Sequence, residues 1–172
     1  MDPDLIAVTI DSIRVSLVSP HRVIVLKDEE ERFLPIWIGP FESEAITMAL
    51  QGTQPARPLT HDLLKAMIQE VGGVASHIVV TDLRDDTFFA QIIMDLGGKR
   101  ILLDSRPSDA IALAVRLQVP IYVNTQVMAQ AAIRPSQATE PGAEDENLDA
   151  FRDVLQDLDL DDLGKGEPPK EE

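Results

Sequence analysis

The chain opens on alternation. Residues 5–18 set apolar, largely β-branched side chains between polar ones, the period of a half-buried strand. Ser19-Pro20-His21 reads as a turn, 23–26 as a second strand, and the Asp-Glu-Glu-Glu run at 28–31 as a charged tip. A third, strongly apolar strand at 33–38 ends at Gly39-Pro40. The period then becomes helical: over 42–50, Ala45, Ile46, Ala49 and Leu50 share one stripe, and Gly52 stops the helix. After a connector containing Pro55, a second helix spans 60–71 and ends at Gly72-Gly73. Strands follow at 74–83 and 87–94, joined by an Asp85-Asp86 turn, and at 100–103 after Gly97-Gly98. A helix at 107–118, a short strand at 121–123 and a short helix at 125–132 complete the pattern.

This order contains a repeat. Ile36-Trp37-Ile38 through Leu50 lies over Ile101-Leu102-Leu103 through Val115 without a gap, at an offset of 65 residues. Ser43 meets Ser108, Glu44 meets Asp109, Ala45 meets Ala110 and Ile46 meets Ile111; upstream, Ile13 meets Ile78 and Val15 meets Val80. The predicted fold class is therefore α+β: two β-β-β-α units sharing one core, with mixed or antiparallel sheets packed against helices. A pseudo-twofold would bring the two helix starts into comparable environments. An apolar face left uncovered by such a pair would favour a homo-oligomer, a dimer first.

The pattern changes beyond residue 135. Residues 136–146 read as a polar linker between the domain at 1–135 and an acidic amphipathic helix at 147–163, where Leu148, Phe151, Leu155 and Leu158 recur between acids. Residues 164–172 read as a disordered tail. Charge follows the same division: 17 acids against 12 bases over 1–135, and 13 against 3 over 136–172, in a total of −15. Nucleic-acid binding rests on basic patches that release counterions. The charge thus counts against a DNA or RNA partner. No cysteine is present, which removes disulfides, thiolate metal sites and a Cys nucleophile. With an acidic N-terminus where a secretory signal would be basic, and no apolar run of about 18 residues, a cytoplasmic protein with no membrane partner is expected.

Three segments concentrate the chemistry. They are Ile36-Trp37-Ile38-Gly39 with Glu42-Ser43-Glu44-Ala45-Ile46, then Arg57-Pro58-Leu59-Thr60-His61-Asp62-Leu63, then Asp104-Ser105-Arg106-Pro107-Ser108-Asp109-Ala110-Ile111-Ala112. Their order and spacing resemble the bifunctional nuclease domain family, over about residues 5–133. The resemblance implies a small α+β domain and cleavage of both DNA and RNA, as described for plant members, without an assigned set of catalytic residues. Plant relatives often add a C-terminal module; an acidic tail stands in its place here.

Within these segments two explanations compete. Locally, Ser105 suits a helix N-cap, Pro107 the first helical turn, and Ser108 and Asp109 the positive helix end. Thr60 would cap the second helix in the same way, and Asp62 would favour its dipole. Arg57 would tie its loop to Asp104 or Asp109 through a bidentate pair. Functionally, Glu44, Asp104 and Asp109 would hold a divalent metal, Mg or Mn, because hard cations take oxygen ligands. Such a metal would polarise a phosphodiester and activate water. His61 would act as general acid or base, its reference pKa near 6.5 suiting proton transfer at neutral pH. Arg106 or Arg57 would offset charge in the transition state. On this reading His61, Asp104, Arg106 and Asp109 are catalytic, and Arg57, Thr60, Ser105 and Ser108 bind substrate. No organic cofactor is expected, since no Gly-rich phosphate loop, nucleophile elbow or His-Glu-x-x-His helix is present. The alternative function is a non-enzymatic binding or regulatory module whose motifs are caps and salt bridges.

Overall fold

A computed structural model describes residues 4–15 and 22–134. Seven strands form one mixed sheet: β1 (Leu5–Val15), β2 (Arg22–Lys27), β3 (Phe33–Ile38), β4 (Gly73–Arg84), β5 (Thr87–Leu96), β6 (Lys99–Ser105) and β7 (Ile121–Asn124). Four helices accompany them: α1 (Pro40–Leu50), α2 (Thr60–Glu70), α3 (Pro107–Leu117) and α4 (Thr125–Ala131). The α+β class expected from the periodicity is the class observed. His21 and the segments 136–146, 147–163 and 164–172 lie outside the described residues.

The sheet order is β3-β2-β1-β7-β4-β5-β6. Every pairing is antiparallel except that of β4 with β7. β7 therefore sits between two three-stranded meanders, β1–β3 and β4–β6. β1 serves two neighbours: Leu5 to Val8 pair with β7, and Thr9 to Val15 pair with β2. Turn chemistry fixes the second meander. Asp85 and Asp86 both have positive φ, as do Gly97 and Gly98, the conformation a two-residue hairpin of matching twist requires. Register follows, with Arg84 opposite Thr87 and Leu96 opposite Lys99.

Helices start where the sequence releases them. Pro40 and Pro107 occupy first turns, where the missing N–H would have no intrahelical partner. This is why α1 begins at Pro40, two residues before the helical period becomes visible. α3 is the centre of the packing. Ala110 to Ala114 are at most 1% exposed, as expected of a helix apolar all round. It lies on β4 and β5, with α1 and α2 beside it. Alanines at 110, 112 and 114 let these neighbours approach closely, while Ile111 and Leu113 fill the space between. Burying such a side chain stabilises by about 1.5–3 kcal/mol. One apolar cluster takes residues from the described sheet and all four helices, so it holds the helix starts in place.

Candidate functional site

The first turns of α1, α2 and α3 supply the main polar cluster. Asp109, in the first turn of α3, is its hub. His61 Nε2 lies 3.2 Å from Asp109 Oδ1, and Arg106 donates to both oxygens of the same carboxylate, Nε to Oδ2 at 2.7 Å and Nη2 to Oδ1 at 3.0 Å. Arg106 Nη2 also donates to Glu42 Oε1 at 2.8 Å, reaching the first turn of α1. Glu42 folds back over its own helix start: a Cβ added at Gly39 would collide with Glu42 Oε2. Gly39 thus leaves room for the carboxylate that Arg106 uses.

The electrostatics follow from this geometry. Burial pushes the Asp109 carboxyl up, but hydrogen bonds from Arg106 and His61 outweigh it and hold the group below the ordinary carboxylate range. Hydrogen bonds to Asp109, then to Glu42, keep Arg106 firmly protonated. An ionised carboxylate only accepts, so His61 presents Nε2 as N–H in its neutral form. Its Nδ1 then carries the lone pair. His61 is 7% exposed overall, whereas the Arg106 side chain is 65% exposed.

A second polar strap lies deeper. Arg116 donates from Nε to Asp62 Oδ1 at 2.6 Å, from Nη1 to Ala112 O at 2.9 Å and from Nη2 to Ala45 O at 3.1 Å. It therefore joins α3, α2 and α1 through one buried guanidinium. Asp62 uses its other oxygen to accept from Leu59 N–H at 2.9 Å. Burial raises the Asp62 carboxyl, and the Arg116 and Leu59 hydrogen bonds bring it below its usual value.

Several expectations need correction. Ser105 does not cap α3: the N-cap is Arg106, without a side-chain cap bond, and Ser105 ends β6 with its hydroxyl donating to Ala90 O at 3.5 Å. Strand pairing with β5 holds Ser105 extended one residue too early for capping. Thr60 does not cap α2 either, because the N-cap is Leu59 and Thr60 already lies inside the helix. Arg57 is exposed and bonds neither Asp104 nor Asp109, since Arg106 and His61 take both oxygens of Asp109. Ser108 is buried.

Glu44 and Asp109, aligned by the 65-residue offset, do not play matching roles. Glu44 is exposed. The position aligned with Arg106 is Phe41, 80% exposed, so the start of α1 lacks the cation that organises the start of α3. Glu42 supplies the carboxylate instead. Asp104 is exposed on the edge strand β6. Among the described residues, no three His, Asp or Glu side chains gather as a metal-ligand set. Glu44, Asp104 and Asp109 as placed do not fit a divalent ion, and Asp109 already takes part in three hydrogen bonds.

The site thus unites the three segments that the sequence singles out, and a model of the bifunctional nuclease domain matches residues 24–136, across all three. The chain belongs to the bifunctional nuclease domain family. An uncharacterized protein of Mycobacterium tuberculosis is 38% identical over 162 residues, covering 91% of this chain and 96% of that protein. Bifunctional nuclease 1 of Arabidopsis thaliana is 35% identical over 111 residues, 62% of this chain and 34% of the plant protein. The bifunctional nuclease of Oryza minuta is 30% identical over 126 residues, 70% of this chain and 38% of that protein. This bifunctional nuclease domain chain therefore spans little more than a third of the plant relatives it matches.

Glu42 and Arg116 are the residues that sequence reasoning missed. Glu42 had a signal: an acid in the first turn after Gly39-Pro40, beside the more conspicuous Glu44. Arg116 also had one, as the only charge between Ala110 and Gln118 in an otherwise apolar helix.

Proposed function

We propose that this chain hydrolyses phosphodiester bonds of DNA or RNA at the His61–Asp109–Arg106 cluster. The observation that carries the reading is the single carboxylate of Asp109 bridging an imidazole and a guanidinium at converging helix starts. Asp109 orients His61 so that Nδ1 is the proton acceptor, the arrangement a general base needs. The imidazole would take a proton from attacking water and return it to the leaving oxygen. Among the described residues Arg106 keeps Nη1 without a hydrogen bond, available to a non-bridging phosphate oxygen as charge builds in the transition state. The first turns of three helices add positive partial charge where an anion would sit. Arg57 and Thr60, exposed at the entry to α2, are assigned to the flanking phosphate backbone. The names of the plant relatives supply the substrate class.

A second reading has its own support. His61 is nearly buried and Asp109 takes part in three hydrogen bonds, so the cluster also serves as a strap tying three helix starts in a non-enzymatic binding module.

The experiment is cleavage of single- and double-stranded DNA and RNA by highly purified protein, with EDTA, Mg²⁺ or Mn²⁺. His61→Ala, Arg106→Ala and Asp109→Asn are assayed alongside, with circular dichroism to check the fold. The nuclease reading expects cleavage that falls by about 10²–10⁴ in His61→Ala. Cleavage that all three variants retain would mark a contaminant and leave the strap as the cluster's role. Loss in EDTA with recovery in Mg²⁺ would restore the metal.

A further inference from the structure

We infer that two copies of this chain associate through an antiparallel pairing of their α2 helices. This rests on the outer face of α2 and not on the His61–Asp109–Arg106 cluster; only Arg57 is common to it and the proposed substrate-binding residues.

α2 is apolar on two sides. Its inner side places His61 and Ile68 in the body, with Leu64 half-buried between them. The outer side carries Leu59, Leu63, Met67 and Val71, four residues apart from its N-cap to its C-cap. At about 100° per residue, Leu63 and Met67 point some 200° and 240° around the helix from His61. They are accordingly 64% and 62% exposed, and Val71 is 55% exposed. Isolated apolar residues on a surface need no explanation, but a contiguous row at helical spacing marks an interaction face.

Charge at its two ends selects the occupant. Arg57 precedes the row and Glu70 closes it; both are exposed, and neither forms an ion pair among the described residues. A twofold axis crossing α2 near Lys65 and Ala66 would set Leu63 of one copy against Met67 of the other, and Leu59 against Val71. The antiparallel arrangement also sets the end of the row that carries Arg57 beside the partner's end that carries Glu70, twice over. A face that is complementary to itself under a twofold is what an isologous dimer requires.

Sedimentation equilibrium and light scattering on the full chain test this. The expected mass is twice the 18.9 kDa of the chain. Leu63→Glu with Met67→Glu should give a monomer with an unchanged circular dichroism spectrum, both side chains being outward. Arg57→Glu and Glu70→Arg should each raise the dimer Kd about tenfold or more by setting like charges together. The double charge exchange should restore it. A wild-type monomer at high micromolar concentration overturns the proposal. So does a dimer indifferent to charges at 63 and 67, or charge exchange without rescue.

Discussion

Asp109 shows how one residue answers to several neighbours at once. Burial opposes its ionisation, while Arg106 and His61 favour it, and the hydrogen bonds win. Because its folded pKa lies below the free value of about 3.9, its stabilising contribution is complete above that pH and is lost as pH falls through the folded value. Asp109→Asn should therefore melt with a flatter pH dependence below about pH 4 than wild type, as read by Tm against pH. Asp62, depressed by Arg116, and Asp28, depressed by hydrogen bonds from Arg32, retain acid sensitivity in that variant. His77 works in a higher window. Burial, then Arg100, lowers its pKa, and it packs edge-on against Tyr122 at 5.4 Å. A histidine held neutral favours the fold fully above its free pKa of about 6.5 and less as pH falls below it. His77→Phe should remove the loss of Tm that wild type shows just below about pH 6.5.

At the scale of elements, the helix starts are held by guanidinium groups. Arg116 binds carbonyls of α1 and α3 together with Asp62 of α2; the carbonyls keep their intrahelical partners, so its removal orphans Asp62 Oδ1 and unlinks the three helices. Arg116→Ala should cost about 2–4 kcal/mol, moderated because the Asp62 side chain is 30% exposed. A lower urea midpoint at unchanged slope would report it; an unchanged midpoint would show that water satisfies the freed groups. Gly39 acts on a neighbouring element in another way. Gly39→Ala should leave the fold intact, since only the mobile end of Glu42 stands in the way, but drive that carboxylate from Arg106. On the proposed mechanism, activity then moves while Tm barely changes. A variant that cleaves as wild type would remove Glu42 from the site.

Across the whole molecule the sheet sets the distances. β7 joins two meanders, and α3 crosses above β4 and β5, bringing together first turns separated by more than 60 residues in the chain. Charge is also a property of this scale. Residues 136–172 hold −10 of the −15 total, so deleting them leaves −5. Repulsion of a polyanion acts over roughly a Debye length, about 10 Å at 0.1 M salt. The truncated chain should bind single-stranded DNA faster than the full chain at low salt, with the difference vanishing at high salt. Equal association rates at low salt would show that the acidic segment exerts no such field.

Much of the architecture was legible because it is written in local chemistry. Asp85-Asp86 and Gly97-Gly98 are residues that tolerate left-handed turns, Pro40 and Pro107 suit first helical turns, and periods of two and 3.6 mark the strands and helices. The importance of the three polar segments was legible too, from their residue types and their resemblance to a known family. What the sequence left open were partners. It offered Ser105 and Thr60 as caps, yet pairing of β6 with β5 and the extended backbone at Leu59 gave those positions to Arg106 and Leu59. It matched Glu44 with Asp109, yet Arg106 selected Glu42, whose carboxylate folds over Gly39. Local propensity depends on neighbours in the chain, so one sequence determines it. An ion pair depends on which side chains meet once the helices dock on the sheet, and tertiary packing alone decides that.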